Sequence, residues 1–322
     1  MARDMNAREN FLEAILFGRP EYVPLGNEEI GHVVNFATER KVARLGESDG
    51  CVVDAWGIGW FSENDEHAPF PRINPLADLR KVWQYEFPDP DDLVLPDGAL
   101  EARDEAKKAG KLIYGGLGYF LFERAWALTG METFFTALYD HPEEMRFLLH
   151  KIAEYAKKVF DRHLEMGVDA VCFSEDLGSQ KALMVSPEKF REFLLPEYAF
   201  IFETLLREKK IISFHSCGCV DAVAGDLAEV GVTMLNPIQA NANDILKIKR
   251  DTFGRTALNG GIGSDLIMRG TPDEVYEETR RVVTMMKQGG GYVAAPDQWF
   301  NNMPAANMDA MWRAARDFGK YP

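Results

Sequence analysis

From about residue 110 onward the chain repeats one pattern: a short apolar run, a polar or glycine-rich tip, then a helical stretch. The runs are "KLIYGGLG" (111–118), "VDAVCFSEDLG" (168–178), "KIISFHSCG" (210–218), "VTMLNPIQ" (232–239), "RTALNGGIG" (255–263) and "GGYVAAPDQ" (290–298). Each has strand length and is apolar throughout instead of alternating. A strand with one wet face alternates, whereas a strand covered on both faces does not, and parallel sheets are covered on both. "RPEYVPLGN" (19–27) reads as a first strand of the same kind, and "GCVVDAWGIGW" (50–60) as a further one. Seven or eight strands alternating with helices predict an α/β fold, a somewhat distorted (β/α)8 TIM barrel with an N-terminal extension. The competing doubly wound sheet lacks a G-x-G-x-x-G after its first strand.

The connecting segments carry helix signals. Ser186 caps a helix with Pro187 at its first position. Thr271 and Glu274 stand at capping-box spacing with Pro272 between them. Residues 141–167 have apolar positions at helical spacing and stop at Gly167. "EFPDPDDLVLPDG" (86–98) is the best break in the chain. The expectation is a single domain over 1–322, with section 1–98 supplying the first strand and part of the pocket cover.

Composition excludes several classes of function. With 36 basic and 51 acidic residues the net charge is −15, which argues against nucleic acid or an anionic membrane as partner. Four cysteines in 322 residues make no disulfide framework. Cys51 and Cys172 each sit among apolar neighbours as small hydrophobes. No apolar run approaches the ~20 residues that span a bilayer, and "MARDMNAREN" has no signal-peptide core. A soluble, reduced, cytoplasmic protein is expected.

In a barrel, chemistry collects at the C-terminal strand ends. The tips here offer Glu175 and Asp176, then His215 and Cys217, then Asn236 and Gln239, then Gly260 and Gly261, and last Asp297 and Gln298. His215 and Cys217 share parity, so an extended backbone points both to one side. An imidazole and a thiolate are zinc ligands, and a catalytic zinc takes three protein ligands and keeps one position open. The third is Cys219, Glu175, Asp176 or Asp297. A redox Cys217/Cys219 pair has no thioredoxin-like context, and the bland alternative is a strand-end histidine beside inert cysteines. Glu175 and Asp176 are candidate metal ligands or general bases, and Gln180, Asn236, Gln239 and Gln298 are candidates to orient a polar substrate. "DAWGIGW" (54–60) and "GYFLFERAWALTG" (118–130) make Asp54, Trp56, Phe122 and Trp126 candidates for the wall or roof of a pocket.

Taken in order, these stretches resemble the uroporphyrinogen decarboxylase superfamily, and within it the corrinoid-dependent methyltransferase branch of O-demethylases and coenzyme M methyltransferases. The most specific are "HSCG" with "LNPIQ" (215–239) and "SEDLGSQKALMVSPEKFREFLLPEY" (174–198). The resemblance implies a distorted (β/α)8 barrel and, for the methyltransferases, zinc held by a His-x-Cys pair, matched here by His215 and Cys217, with a later Cys. Asp297 and Gln298 stand where that later Cys would fall. It also implies catalytic roles for Glu175, Asp176 and His215, a small methoxylated or other methyl donor, and transfer to cobalamin carried by a separate corrinoid protein. The decarboxylases of the family are metal-free lyases whose arginines grip propionates. The corresponding "GRPEYVPLGNEEIGHV" carries acids instead. A non-catalytic binding barrel is the remaining alternative, and exposed barrel helices leave room for a homodimer.

Overall fold

The computed structural model describes residues 5–26, 30–35, 37–38, 47–48, 50–63 and 69–322. Its strands in chain order are β1 (Ile30–Asn35), β2 (Ala37–Thr38), β3 (Glu47–Ser48), β4 (Cys51–Val53), β5 (Gly59–Phe61), β6 (Phe70–Ile73), β7 (Leu93–Val94), β8 (Leu112–Leu117), β9 (Ala170–Ser174), β10 (Ile211–His215), β11 (Met234–Ile238), β12 (Ala257–Ile262) and β13 (Tyr292–Pro296). A seven-stranded sheet runs in the order β1-β8-β9-β10-β11-β12-β13. Every pairing in it is parallel. Its last six strands fall on the six unbroken apolar runs. Helices cross between successive strands, as parallel pairing requires.

Local signals place those helices. Thr271 and Glu274 form a reciprocal capping box before Pro272–Met286. The Ser186 side chain caps the turn Pro187–Lys189, which passes through a π-helical segment, Phe190–Leu194, into the helix Leu195–Arg207. The long helix Pro142–Glu165 ends where Gly167 takes a φ of 69°, a left-handed conformation that glycine adopts without a Cβ penalty.

The two faces of the sheet have different partners. Val171, Phe173, Ile212, Phe214, Leu235 and Leu258 pack into the large core with the helices. The opposite face carries Leu112, Ala170, Ile211, Met234 and Ala257, which cluster with Phe11 and Ile15 of the helix Ala7–Ile15. These are the first residues of their strands, and Met234 and Ala257 are matched in register across β11 and β12. The N-terminal helix therefore covers the strand-start end of this face and leaves the C-terminal tips for a site.

Two expectations for the N-terminal section need correction. Residues 50–60 form no parallel strand. They make the antiparallel hairpin β4–β5 within a four-stranded sheet, β3-β4-β5-β6. The cause is the "DAWG" turn: Asp54 accepts the N–H groups of Trp56 and Ile58 at 2.9 and 3.0 Å, and Gly57 has a φ of 67°. The second concerns 19–27. Among the described residues of this stretch only Leu25 pairs with the main sheet, as a parallel bridge to Ala294. The Gly26 N–H donates to Ala294 at 2.7 Å, and the Ala294 N–H donates to Pro24 at 2.9 Å. Residues 27–29 lie outside the described residues, as does any reading of their acids. Among the described residues no strand pairing joins the β1 edge to the β13 edge. The architecture is an α/β fold on a parallel sheet. The 86–98 break holds a short 3-10 turn, Pro90–Asp92, and β7, which pairs antiparallel with β2. Among the described residues no helix is long and apolar enough to cross a membrane.

Candidate metal centre

β9 and β10 are in register at Ser174 and His215, and β10 and β11 at His215 and Asn236. This brings the ends of three strands together. Just past them, Asp176, His215 and Cys217 place one ligand atom each within 4.8 Å of one another. His215 Nε2 lies 3.5 Å from Cys217 Sγ and 3.7 Å from Asp176 Oδ1. The Asn236 Oδ1 atom is 3.1 Å from His215 Nδ1. An amide oxygen only accepts, so Nδ1 carries the hydrogen and the Nε2 lone pair is turned toward the cysteine and the aspartate. Asp176 is held in turn: its Oδ1 accepts the Cys217 N–H at 2.8 Å.

The donor set fits a zinc ion. Imidazole, thiolate and carboxylate on bonds of about 2.0 to 2.3 Å in tetrahedral array stand roughly 3.3–3.6 Å apart, close to the observed spacing. Burial first, then the Asp176, Glu123 and Asp297 carboxylates, push the Cys217 thiol up to about 12. A bound cation is what reverses that, because a coordinating thiol loses its proton.

The other third-ligand candidates face elsewhere. Glu175 is fully buried. Its carboxylate accepts the N–H groups of Leu121, Phe122 and Glu123 at the start of the helix Phe122–Thr129, and the Tyr198 hydroxyl at 2.7 Å. Burial, then Glu123, push its carboxyl up to about 8, while those donors pull it back. It caps a helix beneath the tips and does not reach the mouth. Asp297 accepts the N–H and hydroxyl of Ser264 at 2.8 and 2.6 Å. Cys219 turns toward Asp221, because Gly218, with a φ of 80°, reverses the backbone before it.

The expected substrate contacts divide. Gln298 stays at the centre, with Oε1 3.5 Å from Cys217 Sγ. Gln180 donates to Gln239 at 3.3 Å, and Gln239 also accepts the Gly218 N–H, so this pair ties loops together. Asp54 is used up by its own turn, by Trp60 Nε1 at 2.8 Å and by Arg124 at 3.2 Å. Phe122 is fully buried against Phe134 and Phe135. Trp56 packs on Tyr155 and Phe87. Trp126 is buried under the exposed ring of Phe70. As a group these aromatics are core, not an open roof.

Glu123 was not among the residues expected from sequence. It is buried, lies 3.5 Å from the Ser174 hydroxyl, and is pushed up to about 7 by burial and then by Asp176. The signal was the missing polar group at the β8 tip: the first acid after "GGLG" opens the next helix.

A family model described as Uroporphyrinogen decarboxylase (URO-D) matches residues 122–318. That span includes Glu123, Asp176, His215, Cys217 and Gln298. A curated relative, the uroporphyrinogen decarboxylase of Saccharophagus degradans, is 24% identical over 259 residues, covering 75% of this chain and 68% of the relative. A solved structure described as a methyltransferase from Methanosarcina mazei superposes with a TM-score of 0.69 at 17% identity, covering 98% of this chain and 99% of the other. That likeness is one of fold.

Proposed function

The chain belongs to the uroporphyrinogen decarboxylase family, and from that premise we propose that it is a zinc-dependent methyltransferase of the corrinoid-linked branch. On this reading it moves a methyl group from a small methoxylated or other methyl donor to cobalamin on a separate corrinoid protein. The reading takes the parallel sheet, with residues 23–26 beside β13, as a distorted (β/α)8 barrel whose mouth receives both partners. The observation that carries it is the convergence of Asp176, His215 and Cys217 at adjacent strand tips.

Asp176, His215 and Cys217 would hold the zinc, which supplies Lewis acidity to the heteroatom that carries the methyl group. Asn236 holds the His215 ring in the tautomer that frees Nε2. The Cys217 N–H keeps the Asp176 carboxylate turned toward the cluster. Gln298 places an amide beside the sulfur, where it orients a polar substituent. Glu175 stabilises the helix start on which Glu123 sits.

The metal-free decarboxylase is the second reading, favoured by the named activity of the curated relative. The charges at the tips oppose it. Glu123, Asp176 and Asp297 are carboxylates, and the nearby Arg124 is paired with Asp54. A polycarboxylate would meet like charge there.

Metal analysis of protein purified without chelator separates the two readings. Stoichiometric zinc is expected, with loss of the metal in a His215→Ala/Cys217→Ser variant. The loaded protein should also change the absorbance of a reduced corrinoid protein when methoxylated donors are added. Metal-free protein, or zinc unchanged in the double variant, overturns the reading.

A further inference from the structure

Packing alone does not fix Asp176. Its side chain is 43% exposed, so much of it borders water instead of a wall of neighbours. Its direction depends on the Cys217 N–H, which donates to Oδ1 at 2.8 Å, and on the backbone that carries it. That backbone is tied on both sides. The Glu175 N–H donates to the His215 carbonyl at 3.0 Å, and the Leu177 N–H donates to the Ser216 hydroxyl oxygen at 3.0 Å.

Between these ties stands the Asp176 N–H, and it donates to the Glu123 carboxylate. Glu123 is buried, and its Oε2 also lies 3.5 Å from the Ser174 hydroxyl. Glu175 reciprocates. Its carboxylate accepts the Glu123 N–H at 3.2 Å, the Leu121 N–H at 3.1 Å and the Tyr198 hydroxyl at 2.7 Å. Each glutamate thus holds the backbone beside the other, and the helix Phe122–Thr129 is clasped to the end of β9. The peptide between Glu175 and Asp176 is the one that aims the ligand. Rotating it changes ψ of Glu175 and φ of Asp176, which swings the Asp176 Cα–Cβ bond away from His215 and Cys217. An N–H donates best when nearly in line with its acceptor. The Glu123 carboxylate therefore favours the peptide orientation that turns Asp176 toward the cluster.

We propose that Glu123 is a positioning residue for the metal centre: by accepting the Asp176 N–H it sets the peptide that aims the Asp176 carboxylate at the site shared with His215 and Cys217. The inference rests on the zinc centre of the proposed reading, and is independent of the methyl donor and of the corrinoid partner.

The test is the zinc affinity of the full chain, measured by competition with a chromophoric chelator, with the melting temperature of the metal-free protein measured alongside. Glu123→Ala removes the acceptor and should weaken zinc binding by about 10- to 100-fold, the range for groups that orient a metal ligand. Glu123→Gln keeps an amide oxygen for the Asp176 N–H and should recover most of that loss. Glu123→Asp keeps the charge, withdraws the acceptor by one methylene and should lose affinity. Where Asp176 is already alanine, Glu123→Ala should change affinity by no more than about twofold, since no carboxylate is left to aim. Unchanged affinity in Glu123→Ala overturns the inference, and so does an equal loss with and without Asp176. Glu123→Gln as weak as Glu123→Ala, or Glu123→Asp as tight as wild type, makes the charge and not the hydrogen bond the cause, and overturns it too. A lowered melting temperature with unaltered affinity leaves Glu123 a helix-end role alone and likewise overturns it. Wild-type protein that takes up no zinc overturns the metal reading and this inference with it. Zinc held equally by wild type and Glu123→Ala overturns the inference and leaves the metal reading standing.

Discussion

His215 shows how little freedom a single side chain at this site retains. Its Nδ1 is engaged by Asn236, and Nε2 faces Cys217 and Asp176. Groups that orient a ligating histidine typically contribute 10- to 100-fold to metal affinity. Asn236→Ala should therefore weaken zinc binding by about that factor, measured by competition with a chromophoric chelator. Affinity equal to wild type would mean that strand geometry alone orients the ring. The pairing of His215 with Cys217 was legible from their spacing on an extended strand. The choice between Glu175 and Asp176 was not. Adjacent residues on an extended backbone point to opposite sides, and only the position of the helix Phe122–Thr129 shows which side is the mouth. Asn236 was a candidate for substrate. The register of β10 against β11 gives it to the histidine instead.

Among the elements, the strands and capped helices were the most readable, because burial on both faces and capping boxes are written in local pattern. The loops that carry Asp176 and Cys217 were less so. After β9 and β10 the chain turns so tightly that Gly178 and Gly218 cross backbone to backbone. A Cβ on Gly178 would strike the Cys219 backbone, and one on Gly218 would strike Gly178. This crossing sets where Cys217 stops and Cys219 turns away. Gly178→Ala should cost about 3 kcal/mol of stability and lower zinc content together, read by urea unfolding and metal analysis. Full stability with full zinc would show that the crossing opens without consequence. The hairpin at 51–61 was misread as a parallel strand. Its apolar residues resemble a doubly covered strand, but the Asp54 turn folds the run back on itself.

For the whole molecule, the N-terminal section is joined to the regular part by β1, by apolar packing and by a half-buried ion pair with an aromatic contact. Arg124 pairs with Asp54 at 3.2 Å and lies over the Trp56 ring at 4.9 Å. Its side chain is 12% exposed and that of Asp54 27%. Breaking a largely buried pair from one side leaves the other charge without its partner, typically at about 3 kcal/mol. Arg124→Met should therefore lower stability by about 3 kcal/mol and speed proteolytic cleavage within residues 50–73, read by urea unfolding and limited proteolysis. Unchanged cleavage would show that the section is held by its apolar contacts alone. At this scale the sequence by itself determined an α/β chain with a parallel sheet, its helix boundaries, and a histidine and cysteine able to share a ligand. Each of these follows from periodicity or capping within a few residues. Only the tertiary structure decided that Asp176 joins them, that Glu175 and the aromatics belong to the core, and that Glu123 lies beside Ser174 at the strand tips. Those outcomes depend on strand register and loop crossings between residues 21 to 54 positions apart, and no local pattern encodes such distances.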